Sequence, residues 1–211
     1  MQYFNSNLRQ TPIFVDSNGP WLIDKKGNRI FDCWLGSGTL IFGHEEIEHS
    51  NMCNMLPETS LSNINDPTLI NNLVNFDIGS FGIQTSGSSA ITRACRIARA
   101  VTNRKFIALI GDFWHGSDDE FLFRNNYELL SDGLSISHGH HYVWFKTIES
   151  FLSQKNFQEF AAILVEPYQG ANPKADIIQV LTSEDIRQKI RKDGTLLIFD
   201  EIITGFRNNY G

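Results

Sequence analysis

The sequence predicts an α/β protein: a mostly parallel sheet with helices on both faces, preceded by an N-terminal β-hairpin segment. Three observations carry this reading. Lys105–Gly111, Ala161–Val165 and Thr195–Phe199 are near-continuous apolar runs, the pattern of strands buried on both faces of a parallel sheet. Helical spacing of apolar residues alternates with these runs along the chain, as in successive strand–helix–strand units. Before residue 65 the apolar runs are shorter and are broken by Asn and Gly, which marks hairpins.

The elements follow in order. Pro12–Asp16 and Trp21–Asp24 read as extended pieces around the turn Asn18-Gly19-Pro20, and Lys26-Gly27-Asn28 turns the chain into Arg29–Trp34. Leu35–Gly43 is glycine-rich without periodicity and reads as a loop. Pro67–Phe76 has helical spacing, and Phe81–Thr85 is a short extended run ending at Ser86-Gly87-Ser88-Ser89. Ala90–Val101 is a helix with Ala90, Ile91, Ala94, Ile97, Ala98 and Val101 on one face and Arg93, Arg96 and Arg99 on another. After the strand Lys105–Gly111, Gly116–His141 is polar and irregular. Tyr142–Phe145 is then a strand, Ile148–Phe157 a helix and Ala161–Val165 a strand. Thr182–Lys192 is a helix with Thr182 or Ser183 as N-cap and acids at Glu184 and Asp185, followed by the strand Thr195–Phe199. The expected division is an N-terminal segment, residues 1–64, and a sheet domain, residues 65–211.

Composition narrows the function. With 211 residues, 41% hydrophobic and 20% charged, the chain is an ordinary globular one, long enough for a sizeable core. A net charge of -6 argues against nucleic acid as a partner, because phosphate contacts need clustered Lys and Arg. The three cysteines have no metal or redox spacing and fit reduced thiols. No apolar leader opens the chain and no apolar run is long enough to span a bilayer, so a soluble, cytoplasmic protein away from membranes is expected. Ser137-His138-Gly139-His140-His141 has alternating histidines, but no Cys or acid nearby completes a metal set, so no metal is expected.

In open α/β sheets ligands bind beyond the carboxyl ends of the strands, and several distinctive residues fall there. The Ser86–Ser89 turn joins a strand to a helix, where backbone N–H groups can face an anion; the plain alternative is an N-cap. Trp114 is either a stacking platform or core, and His115 either structural or functional. Glu166 and Asp200 each end a strand, and Asp200 could equally be a solvated strand end. Together, an anion cradle, an aromatic face and a carboxylate suit a flat, cationic, phosphorylated ring such as pyridoxal 5'-phosphate (PLP). Its pyridinium nitrogen needs an anionic partner to stay protonated.

At these residues the sequence resembles the class III aminotransferases, fold-type-I PLP enzymes, and within them the glutamate-1-semialdehyde aminomutases. The resemblance runs from Phe14-Val15-Asp16 through Asp32, Gly36-Ser37-Gly38 and Gly43-His44. It continues through Ser86-Gly87-Ser88-Ser89-Ala90, Trp114-His115-Gly116 with Asp118, and Val165-Glu166-Pro167. Its most specific block is Leu197-Ile198-Phe199-Asp200-Glu201-Ile202-Ile203-Thr204-Gly205-Phe206-Arg207. It implies the large-domain fold of those enzymes, here incomplete. It implies that Gly87 and Ser88, with Ser86 nearby, hold the phosphate, and that Trp114 and Ile202 cover the two faces of the ring. Asp200 would pair with the ring nitrogen, Glu166 and His115 would support that network, and Ser37 and Gly38 would border the substrate.

The implied function is transfer or internal shift of an amino group on an amino acid or amino-aldehyde type substrate, by a protein that is homodimeric when whole. The sequence departs from the family at Ser89, where Glu is usual, and at Trp114, where Tyr is usual. No lysine follows Asp200, so the Schiff-base lysine is expected beyond the chain end. The expectation is therefore a front half with no catalytic residue of its own, inactive alone. The alternative is a non-catalytic cofactor-binding or interaction remnant.

Overall fold

A computed structural model describes residues 13–38, 40, 43–44, 82, 84–124, 128–129, 133–134, 141–169, 176–205 and 207. The expected helix 67–76 and most of the histidine run 137–141 lie outside them. The chain divides into two compact units that part between residues 82 and 83.

In the first unit β1 (Phe14–Asn18), β2 (Trp21–Asp24) and β3 (Arg29–Phe31) form an antiparallel sheet in that order. The second turn is set by Asp24, whose carboxylate accepts from the backbone N–H of Lys26 (2.8 Å) and Asn28 (2.9 Å). The run 35–43, expected as a loop, opens with a single helical turn, α1 (Leu35–Gly38). Asp32 explains it. One carboxylate oxygen accepts from Trp34 N (2.8 Å) and Leu35 N (3.2 Å), satisfying donors at the start of the turn. The other oxygen lies 2.8 Å from His44 Nε2, and the His44 hydrogen bond leads the contacts that hold the Asp32 carboxyl below its ordinary range.

In the second unit β4 (Phe106–Ile110), β7 (Tyr142–Phe145), β8 (Phe160–Val165) and β9 (Leu196–Phe199) form a parallel sheet in the order β7-β4-β8-β9. Between β4 and β7 lie a 3₁₀ turn (Asp119–Phe121) and a small antiparallel pair, β5 (Phe123–Arg124) and β6 (Glu128–Leu129). All of β8 and Ile107–Ile110 of β4 are buried, as their apolar runs require. Of the expected strand 81–85, the described residues Gly82, Gln84 and Thr85 take no regular structure.

Each face of the sheet has its own core. On one, α2 (Gly87–Thr102) packs Ile91, Cys95 and Ala98 onto Ile107, Leu109, Ala162 and Leu164. On the other, Ile148 and Phe151 of α3 (Ile148–Leu152), Ile177 and Leu181 of α4 (Asp176–Thr182) and Ile190 of α5 (Glu184–Asp193) cover Ala108, Ile110, Ile163 and Val165. Helices on both faces are thus present. α2 is rotated from the expected face: Ile97 and Val101 are 52% and 71% exposed, while Cys95 is buried. α3 ends at Leu152 instead of continuing to 157, and α4 was not anticipated. Ser183 is the N-cap of α5, without a side-chain cap bond. Among the described residues no helix is long and apolar enough to cross a membrane.

Packing and exposure lead to three predictions. Phe151 is fully buried with its ring 4.5 Å from Phe157 and 5.3 Å from Phe145, so Phe151→Ala should cost about 3–5 kcal/mol in urea unfolding. Burial pushes the Cys95 thiol from 9.0 up to about 12, opposed by Arg99. The folded chain therefore keeps a proton that the unfolded chain releases, and stability falls as pH rises from about 9 toward 12, readable as a dropping unfolding midpoint. At neutral pH a thiol reagent should label exposed Cys33 and spare Cys95, checked by peptide mapping.

Candidate functional site

The chain leaves β4 toward β7 and leaves β8 toward β9, so the connections from the two central strands diverge at their carboxyl ends. A crevice opens where such connections part. There, Gly87, Ser88, Ile91, Trp114, His115, Gly116, Glu166, Asp200, Ile202 and Ile203 line a cavity of about 160 Å³.

One wall is the start of α2. Ser86 is its N-cap, and a capping box joins Ser86 and Ser89: Ser89 N donates to Ser86 Oγ and Ser86 N donates to Ser89 Oγ, both at 3.2 Å. Ser86 thus caps the helix, immediately before the two cavity-lining residues Gly87 and Ser88. The box does not use the backbone N–H groups of Gly87 and Ser88, which form part of the positive end of the helix dipole, and α2 has no acid in its first turn. Gly87 lies under Ile202: a Cβ there would come 3.0 Å from Ile202 Cγ1, so a larger residue would push the Ile202 side chain back by a few tenths of an ångström.

The second wall is the chain beyond β4. Trp114 is 44% exposed, and its backbone N–H donates to Glu166 Oε2 at 3.2 Å. Glu166, itself buried, thereby fixes the segment that carries the indole. Gly116 has φ of +104°, and a Cβ on it would sit 2.8 Å from Ser88 Cα and Cβ. The segment thus crosses directly over the start of α2.

The floor is Asp200, 5% exposed, delivered by the register of β9 on β8 through Asp200 N→Val165 O (2.9 Å). Its Oδ1 accepts from Ile202 N (3.2 Å), and its Oδ2 lies 2.7 Å from Nδ1 of His115, which is 1% exposed. A carboxylate oxygen only accepts, so the Nδ1 proton points at Asp200. Phe113 stacks on the His115 ring at 4.6 Å and Phe121 meets its edge at 6.1 Å, so the imidazole has little freedom to turn. A helix end that favours an anion, an open indole face and a buried carboxylate thus border one small space.

No protein-family model matches the chain. It is 31% identical over 222 aligned positions to the glutamate-1-semialdehyde 2,1-aminomutase of Thermoplasma volcanium, covering 95% of this chain and 51% of that protein. To glutamate-1-semialdehyde 2,1-aminomutase 1 of Listeria monocytogenes it is 32% identical, covering 98% and 52%. Among solved structures, the ornithine aminotransferase of Toxoplasma gondii superposes with a TM-score of 0.72 at 19% identity, over 97% of this chain and 52% of that one. An omega-transaminase of Sphaerobacter thermophilus gives 0.70 at 21% identity, over 95% and 50%. Over the part it aligns with, the chain is similar in sequence to glutamate-1-semialdehyde 2,1-aminomutases, and it has the fold of the aminotransferases it superposes on. It spans about half the length of the curated relatives it matches.

Of the residues singled out in the sequence, the cavity gathers Gly87, Ser88, Trp114, His115, Glu166, Asp200 and Ile202. Ser37 and Gly38 belong to the other unit, in α1. Sequence reasoning gave Ile91, Gly116 and Ile203 no role in the site; the positive φ that Gly116 adopts is the signal that a glycine there serves a close crossing. Gly116→Ala should force that crossing apart and cost roughly 1–3 kcal/mol in chemical unfolding, whereas Gly133→Ala, with nothing within 4 Å of its Cβ, should show only the milder strain of its φ of +83°.

Proposed function

We propose that this cavity holds PLP and that the protein belongs functionally with the aminotransferases and aminomutases, moving an amino group on a small amino acid or amino aldehyde. The observation that carries the reading is the convergence, at one set of strand ends, of an anion-favouring helix start, an exposed indole and a buried carboxylate. These groups fit the parts of PLP: the phosphate, the flat ring and the ring nitrogen. When bound, PLP supplies an electron sink for bonds at an amino-bearing carbon.

The chain's own residues have separate tasks in this reading. The N–H groups of Gly87 and Ser88, with the Ser88 hydroxyl, bind the phosphate. Trp114 and Ile202 hold the two faces of the ring and keep water from them. Asp200 keeps a proton on the ring nitrogen; a unit charge pair at ~4 Å is worth about 4 kcal/mol at an effective dielectric of ~20, before desolvation. His115 orients the Asp200 carboxylate, and Glu166 fixes the backbone of Trp114. Ser37 and Gly38 border the substrate in this proposal, on the strength of the sequence resemblance. A homodimeric, cytoplasmic protein with small-molecule amino donors and acceptors as substrates completes the proposal, on the strength of the sequence resemblance.

No lysine lines the cavity among the described residues, so the test reads noncovalent binding. PLP titrated into the chain should quench Trp114 emission, and the quenching should vanish in Trp114→Leu. Asp200→Asn should weaken binding by about 1.5–3 kcal/mol, the usual worth of a hydrogen bond to a charged group. Equal affinity in the wild type and Asp200→Asn would sink the reading.

A further inference from the structure

Asp118 lies outside the cavity, yet it is tied to both of its ends. Thr92, in the second turn of α2, donates its hydroxyl to Asp118 Oδ2. The next residue back, Ser117, donates its backbone N–H to Ser88 Oγ at 3.1 Å, and Gly116 lies against Ser88. In the other direction, the Asp118 carbonyl accepts from Phe121 N at 2.9 Å and starts the 3₁₀ turn that presses Phe121 against the His115 edge. Asp118 also lines an outer groove together with Thr92, Arg93 and Arg96.

The Ser88 hydroxyl has one proton to give. With Ser117 N–H donating to its oxygen, that proton is turned away from the loop and is available to an acceptor in the cavity. This orientation lasts only while residues 116–118 stay pinned over the helix start, and the charge-assisted bond between Thr92 and Asp118 is the side-chain pin. Resting on the reading of the cavity as a PLP site, we propose that Asp118 is the positioning residue for its phosphate end, acting through Thr92, Ser117 and Ser88 without touching the ligand.

The consequence is selective. Loss of the pin weakens recognition of the phosphate and leaves recognition of the ring intact. The test compares PLP with pyridoxal, which lacks the phosphate, by equilibrium titration of the wild type, Asp118→Ala, Asp118→Asn and Thr92→Val. The wild type should prefer PLP. Asp118→Ala and Thr92→Val should lower that preference roughly tenfold, with pyridoxal affinity unchanged within about twofold, the scale of one misaligned charge-assisted hydrogen bond. Asp118→Asn keeps an acceptor oxygen for Thr92 and should keep the preference. Variants that retain the wild-type preference, or that lose both ligands in parallel, overturn the positioning role and leave the cavity assignment standing. A wild type that does not prefer PLP overturns the cavity assignment, and the positioning role with it. Should Asp118→Ala lose its far-ultraviolet dichroism, Thr92→Val decides the question, since it removes the hydroxyl with little change in volume.

Discussion

A carboxylate taken out of water must be met by donors or by opposite charge, and breaking such an arrangement leaves a charge stranded in the protein. Asp200 is in that position, and much of the second unit is arranged to meet it. The pairing of β9 with β8 sets where it emerges, and the backbone N–H of Ile202 turns back onto one of its oxygens. His115 comes from a different strand end to reach the other, and two phenylalanines hold that ring in place. The polar centre of the cavity therefore depends on the relative register of β4, β8 and β9, and the aromatic packing around His115 has an electrostatic purpose as well as a hydrophobic one.

The start of α2 is arranged the opposite way, to leave charge unmet. A capping box normally has Glu at its third helical position, reaching back to the cap. Here Ser89 occupies that position and closes the box with a hydroxyl, so the helix gains its cap without a negative charge at its positive end. α3 and α5 carry acids in their first turns, which is the ordinary way to offset the dipole. The departure at Ser89 thus preserves the local geometry while raising the positive potential beside Gly87 and Ser88.

What the sequence makes legible follows from how many surroundings a residue has to satisfy. β4 and β8 are enclosed on both faces, which leaves only apolar residues and makes them plain in the sequence. α2 is half exposed, and its apolar residues exceed what its buried face can take, so Ile97 and Val101 look like core and are not. α3 is short because Ser153 ends it, and the chain reaches Phe157 and Phe160 by turns whose buried aromatics imitate a longer helix. In the site, Trp114, Glu166 and Asp200 each admit a plain reading alone, and only their shared place at the strand ends makes them suggestive together. Ser86 was ambiguous because a capping serine and an anion-binding serine look alike. The hold of Asp118 on Thr92 was invisible, since a tertiary bond between two exposed-looking polar residues has no local pattern.

The parallel sheet also governs how this chain comes to be folded. None of its strands meets a partner nearby in sequence: Ile107 pairs with Tyr142, Ala108 with Ile163, and Ala162 with Leu196. β4 is made first, yet it is flanked on both sides by strands made much later, and the entropy of closing those long loops must be met before any ladder forms. During synthesis this wholly apolar strand therefore waits for its partners, with the amphipathic α2 already made and able to shelter one of its faces. Nascent chains of this design are slow to acquire structure and are natural clients for chaperones, however firm the finished core.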